Sequence, residues 1–389
     1  MSIYFDHAAT APLDKEVLAE MIPYFGVVYG NANSQHSFGQ EAAKAVLNAR
    51  RRISQAIGAP HAKYLDIYFT SGGTEADNWA IRGIASAYRE KGNHIITSQV
   101  EHPAVYNTCK ILEKQGFEVT YLPVDEGGQV RPETLEKAIT DRTILVSIMF
   151  ANNEIGTVMP IKELVKVAKA KKVLFHTDAV QATGSVPINV SELGVDLMSI
   201  SAHKFYGPKG IGALYVRPGV KIDRIISGGE QERTLRGGTS NVPAIVGFGA
   251  AIEAAVRDME KNNAHIKALR DSFVEKLMAR VPDIRLNGTM ESRLPNNANF
   301  SFRYIEGESI LISLDLAGIA VSSGSACSSS SLEPSRTLIA IGVPVGTAHG
   351  SLRFTFGREN TMEEVDYAVE KIAEIVARLR AWSPLAPRN

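Results

Sequence analysis

From about residue 64 to residue 218, strand-like and helix-like segments alternate along this chain of 389 residues. Leu65-Asp66-Ile67-Tyr68-Phe69 reads as a strand, with a helix from about Thr74. His94 to Val100, Val119 to Val124, Thr143 to Ala151, Val173 to Ala179 and Asp196 to Ser201 read as further strands. Helices over Pro103 to Gln115, Pro132 to Ile139 and Ile161 to Lys171 lie between them. Such alternation restricts the chain to an α/β fold, a mostly parallel sheet covered by helices on both faces. Ligands in that architecture bind outside the carboxyl ends of the strands. The polar residues that follow each strand therefore become the candidates for function.

The pattern changes after this region. Ile252, Val256 and Met259, then Ile266, Leu269, Phe273 and Leu277, keep helical spacing, which predicts a long helix over Pro243 to Val281 broken near Asn262-Asn263. Asn299 to Arg303 and Ser351 to Phe356 read as strands. Thr361-Met362-Glu363-Glu364 has the form of a capping box before an apolar-periodic helix. The expected division is a large domain over 13–255, with 1–12 and 256–389 forming a smaller α+β domain.

Bulk properties exclude several classes. Lys and Arg number 42 and Asp and Glu number 42, so net charge is zero and a general affinity for nucleic acid or anionic membrane is not expected. The most apolar stretch, near Val242 to Val256, is too short to span a bilayer and contains Glu253. The start of the chain lacks a basic segment followed by an apolar core, and there are only two cysteines, Cys109 and Cys327. Both points favour a reducing, cytoplasmic setting over a disulfide framework.

Lys204, in Ser201-Ala202-His203-Lys204-Phe205-Tyr206-Gly207, ends a strand, where a lysine is costly unless paired, covalently held or poised to react. Asp178 ends another. A Schiff-base lysine and a carboxylate that keeps a pyridinium nitrogen protonated are what pyridoxal phosphate chemistry needs. Ser71-Gly72-Gly73-Thr74-Glu75-Ala76-Asp77-Asn78 follows a strand and opens a helix, as an anion-binding turn does; it also reads as a plain turn with Thr74 as N-cap and Asp77 completing a capping box. It matches neither the dinucleotide fingerprint nor the Walker pattern. His102, in Glu101-His102-Pro103, suits stacking on a flat ring or capping the next helix. The amides of Asn152-Asn153-Glu154 suit either ligand binding or a turn. Arg353, in an alternating segment, is a carboxylate clamp or a surface arginine.

Cys109 sits in an apolar helical pattern and reads as a buried small hydrophobe. Cys327 differs: Ser322-Ser323-Gly324-Ser325-Ala326-Cys327-Ser328 is rich in Gly and Ser. That setting predicts an accessible thiol, a candidate nucleophile, or else a linker with an incidental cysteine.

Ser71-Gly72-Gly73-Thr74-Glu75, Ala151-Asn152-Asn153-Glu154-Ile155-Gly156, His203-Lys204-Phe205-Tyr206-Gly207-Pro208-Lys209-Gly210 and Ser323-Gly324-Ser325-Ala326-Cys327 together resemble the cysteine desulfurases of the class V aminotransferase superfamily, fold-type I pyridoxal phosphate enzymes. The spacing from Cys327 to Leu332-Glu333-Pro334-Ser335 is similar to that in the group serving iron–sulfur cluster assembly and nitrogen fixation. The resemblance implies a large domain with a mostly parallel seven-stranded sheet and a smaller α+β domain carrying the Cys327 loop. It implies that Lys204 forms the Schiff base and moves protons, Asp178 pairs with the ring nitrogen, Gln181 bonds the ring hydroxyl and His102 stacks on the ring. Gly73, Thr74, Ser201 and His203 would hold the phosphate, joined by Thr239 from the other subunit of a homodimer. Asn33, Asn153 and Arg353 would hold the carboxylate of L-cysteine, and Cys327 would take its sulfur as a persulfide for a protein acceptor such as an iron–sulfur scaffold. No metal, nucleic acid or membrane is implied. A transaminase or selenocysteine lyase of the same fold, a non-catalytic scaffold and, more distantly, a nicotinamide oxidoreductase are the competing readings.

Overall fold

The computed structural model describes residues 2–59, 66–323 and 334–387. Leu65 and Cys327 lie outside these described residues. The first strand, β1, is Ile3–Tyr4. Seven strands follow: β2 (Ile67–Thr70), β3 (His94–Ser98), β4 (Glu118–Leu122), β5 (Thr143–Ser147), β6 (Leu174–Asp178), β7 (Leu197–Ser201) and β8 (Gly212–Val216). They form one sheet in the order β2-β8-β7-β6-β5-β3-β4. All pairs are parallel except those of β8, which runs against β2 and β7. The link from Ser201 to Gly212 is too short for a parallel crossover, so β8 must return antiparallel.

Both faces of this sheet are covered, as the apolar runs predict. On one face Ile95, Leu145, Leu197 and Leu214 pack with Trp79, Ile81 and Ile84 of the helix Gly73–Ala87. On the other, Ile96, Val146, Phe175 and Met198 share a core with Phe248 of the helix Val242–Arg257. Side chains alternate across a strand, so neighbouring residues feed opposite cores.

Five short strands complete the chain: β9 (Ile284–Leu286), β10 (Asn297–Phe302), β11 (Ile319–Ala320), β12 (Ser322–Ser323) and β13 (Ser351–Thr355). An antiparallel sheet has the order β12-β13-β10-β9, and β1 pairs with β11. Its core is aromatic: Phe273 lies 4.8 Å from Phe354 and 5.3 Å from Phe356, ring centre to ring centre. The helix Met362–Trp382 starts with the predicted capping box, in which Thr361 Oγ1 accepts from the Glu364 N–H and Glu364 accepts from the Thr361 N–H.

One boundary differs from the expectation. The long helix breaks at Asp258, between Val242–Arg257 and Met259–Arg280, and not at Asn262-Asn263. Asn263 stays helical because its side chain donates to the Ser185 carbonyl, 2.9 Å away, instead of competing for its own backbone. Among the described residues no helix is long and apolar enough to cross a membrane.

Because Phe273 is wholly buried among four other phenylalanines, Phe273→Ala is expected to destabilise the fold by about 3–5 kcal/mol. A urea titration followed by circular dichroism reads this as a lower midpoint.

Candidate active site

Where the order of strands reverses beside β3, the carboxyl ends of β3, β5, β6 and β7 open onto one cavity of about 300 Å³. Gly73, Thr74, His102, Asn153, Asp178, Gln181, Ser201, His203, Lys204 and Arg353 all line it. Ten residues named from sequence thus meet at one place. Asn33 and Thr239 do not: both are exposed on loops and neither lines the cavity.

At one end the helix Gly73–Ala87 begins. Its N-cap is Gly72, so the helix has no side-chain cap, and Thr74 lies inside the first turn instead of capping it. An N-terminus built in this way offers backbone N–H groups to an anion. Gly73 has to be small here, since a Cβ would lie 2.7 Å from Val180 Cγ2. Ser201 and His203 border the same end. Burial and the nearby Lys204 push His203 down to about 4, so its ring is neutral; Nδ1 lies 3.1 Å from Thr10 Oγ1.

Lys204 closes the short 3₁₀ turn Ala202–Lys204 after β7. Its Nζ donates to the carbonyls of Ala8 and Ala9, at 2.6 and 2.8 Å. Gln181 donates to the same Ala8 carbonyl at 2.9 Å. The amino-terminal segment therefore positions the Lys204 amine.

The opposite end is acidic and dry. Asp178, the last residue of β6, accepts from the Val180 N–H at 2.9 Å. Asp77 approaches it from the helix, and the ligand atoms of Asp77, His102 and Asp178 lie within 4.8 Å of one another. Burial raises both carboxyls above their usual range, and the charge of Asp178 raises Asp77 further. His102 combines the capping role its sequence allows with a place at the cavity. It lines the cavity and caps the helix Pro103–Glu113, its Nδ1 accepting from the Ala104 N–H at 3.1 Å. Burial, then Lys204 and Arg336, push it down to about 4, so it presents a neutral ring.

Asn152 and Asn153 divide the two readings of their pair. Asn152 shapes the turn, its Oδ1 accepting from the Glu154 and Ile155 N–H groups at 2.9 Å. Asn153 lines the cavity. Arg353 is buried, not a surface residue; it donates to the Asn153 carbonyl at 2.8 Å and to Asp6 Oδ1 at 2.9 Å, while its buried Nε has no partner among the described residues. It sits in β13 beside Ser322 of β12, so the described chain leads to within a few residues of Cys327 next to this guanidinium. Beyond the undescribed segment, Ser335 Oγ donates to Glu154.

Asp77, Glu101 and Asp6 are site residues that the sequence did not single out. Asp77 has a simpler explanation as a turn residue. Glu101 and Asp6 show their importance only through partners far along the chain.

These residues fit pyridoxal phosphate: an uncapped helix end and hydroxyls for the phosphate, an acid for the ring nitrogen, a neutral ring to stack and an amine within the same cavity. That arrangement, at the carboxyl ends of a parallel sheet, defines a fold-type I pyridoxal phosphate enzyme. Residues 3–368 match the aminotransferase class-V family, and the chain belongs to it. It is 56% identical over 382 residues to cysteine desulfurase IscS of Dictyoglomus turgidum, across 98% of this chain and 96% of the relative. Identity to cysteine desulfurase IscS of Methanosarcina thermophila is 54%, across 100% of this chain and 95% of the relative. Among solved structures, a NifS-like protein superposes with a TM-score of 0.92 at 41% identity, covering 97% of this chain and all (100%) of that one. SspA in complex with cysteine superposes with a TM-score of 0.81 at 35% identity, over 92% of this chain and 100% of that one.

Glu101 gives a pH signature. Burial raises it to about 8, while its Oε1 accepts from Ser98 and the Met149 N–H. The folded protein keeps a proton that the unfolded chain releases near its ordinary value, so this group costs stability as pH rises from the ordinary value to the folded one. Glu101→Gln keeps an acceptor oxygen and cannot ionise. Its stability gain over the parent is expected to grow up to pH of about 8 and then level off, as measured by urea unfolding across pH.

Proposed function

We propose that the protein is a cysteine desulfurase, which removes sulfur from L-cysteine, releases L-alanine and holds the sulfur as a persulfide on Cys327. The observation that carries this reading is a buried guanidinium, that of Arg353, lining the same cavity as Lys204 and suited to hold a carboxylate. The full-length likeness to cysteine desulfurases supports it.

Bound pyridoxal phosphate would supply an electron sink for the substrate Cα. Around it, each side chain has a task. Lys204, whose amine donates to the Ala8 and Ala9 carbonyls, would hold the cofactor and would move the proton at the substrate Cα. Asp178 would pair with the ring nitrogen, His102 would stack on the ring and Gln181 would bond the ring hydroxyl. Gly73, Thr74, Ser201 and His203 would hold the phosphate. Arg353 and Asn153 would hold the substrate carboxylate. The Cys327 thiolate attacks the substrate sulfur. An S–S bond forms as the Cβ–S bond breaks, and the electron pair left on Cβ takes a proton to give alanine. The persulfide then passes its sulfur to a protein acceptor such as an iron–sulfur scaffold, in the cytoplasm. The same reading divides the chain into 13–255 and the pair 1–12 with 256–389.

A second copy completes the site in this reading, with Thr239 reaching the partner's phosphate. An exposed apolar face supports a homodimer: Ile22 is 59% exposed, Phe25 66%, Val27 77% and Tyr29 68%. Isolated exposed hydrophobics need no explanation, but four within eight consecutive residues support this reading of a second copy.

With L-cysteine and a thiol reductant, the parent is expected to release equimolar sulfide and alanine. Cys327→Ala should lose nearly all of both and keep the cofactor absorbance; full activity in that variant would refute the nucleophile. Ile22→Asp together with Phe25→Asp is expected to shift the protein from dimer to monomer in analytical ultracentrifugation and to weaken cofactor retention.

A further inference from the structure

Beneath the cavity lies a carboxyl group that the reaction scheme leaves unused. Asp77 is 1% exposed, and among the described residues its Oδ1 has no hydrogen-bond partner. The groups that face it come from three neighbouring segments: Asp178 and His176 of β6, Ser199 of β7, and Glu101 and the neutral His102 in the turn after β3. His176 is not a counter-ion. Its Nδ1 lies 2.8 Å from Ser147 Oγ and its Nε2 lies 2.9 Å from Ser199 Oγ, while Asp77 Oδ1 is 3.7 Å away. Burial pushes His176 down to about 3, so it is a neutral ring. Glu101 adds a further carboxyl, not a positive charge.

Two carboxyls in contact, out of water and without a cation between them, cannot both ionise; one holds a proton. The surroundings decide which. Asp178 accepts a backbone N–H from Val180 and feels the positive charge of Lys204, and both favour its charged form. A hydrogen bond from Ser199 favours the charged form of Asp77, but Asp77 receives neither the backbone N–H nor the lysine charge, and among the described residues its Oδ1 has no partner to support a charge.

We propose that Asp77 is a positioning residue, a neutral carboxylic acid that donates its proton in a hydrogen bond to Asp178 and holds the pair at one negative charge facing the ring nitrogen. The inference rests on the reading of Asp178 as the partner of that nitrogen. A doubly charged pair would be expelled or would over-hold the ring proton, whereas a singly charged one matches a single pyridinium. Ser147, His176 and Ser199 extend the hydrogen-bonded chain behind Asp77 and hold its geometry.

The test has one arm without cofactor and one with it. In cofactor-free protein near neutral pH, the infrared difference between the parent and Asp77→Asn should contain the C=O stretch of a protonated carboxylic acid. An ionised carboxylate band in its place would overturn the proposal. In the cofactor-loaded protein, Asp77→Asn still donates a hydrogen bond and remains neutral. It should bind pyridoxal phosphate within about threefold of the parent and keep the pH midpoint of the cofactor absorbance within about half a unit. Asp77→Leu donates nothing and should move that midpoint by about one unit or more, with circular dichroism confirming the fold. A large shift in the Asn variant, or none in the Leu variant, counts against the proposal. Asp178→Asn checks the underlying reading. If it leaves the absorbance and affinity unchanged, the assignment of Asp178 fails, while the infrared result still decides the state of Asp77.

Discussion

A parallel sheet covered on both faces leaves little of its surface for charge, and the site follows from that constraint. Apolar residues of β3, β5, β6 and β7 supply the two cores, and the chain can place ionisable groups cheaply only where the strands end. Asp178 is the last residue of β6, and Lys204 comes three residues after β7 ends. The reactive groups are brought together because the strands that carry them are hydrogen-bonded neighbours.

Electrostatics then divides the cavity. One end is an uncapped helix terminus with hydroxyls and a neutral histidine, suited to a phosphate. The other holds buried carboxyls raised by desolvation. Between them Lys204 rests on two backbone carbonyls. The two neutral histidines, His102 and His203, line the space without adding charge. Three of the polar residues buried inside the sheet, Ser147, His176 and Ser199, bond to one another and so avoid the cost of unsatisfied burial.

Much of this architecture is legible in the residue pattern. Strands and helices fall within a few residues of their expected bounds at most positions, because apolar runs and turn residues are local signals. Lys204, Asp178, His102 and Arg353 stand out because charged or titratable residues directly follow or sit within strand-like runs. Asp77 does not, because a carboxylate near a helix start has an ordinary local explanation. The helix breaks at Asp258 and not at the asparagine pair because the Asn263 amide is satisfied by Ser185, a partner 78 residues away.

Sequence alone determined the class of fold, the strand ends that bear chemistry and the family resemblance, since each depends on residue type and spacing along the chain. Only the tertiary structure decided which groups share the cavity and in what charge state. Asp6 meets Arg353 across 347 residues, and Ala8 meets Lys204 across 196. The protonation of Asp77, Glu101 and Asp178 depends on burial and on one another. Solvent exclusion and contact between distant segments exist only once the chain has folded, so no local pattern encodes them.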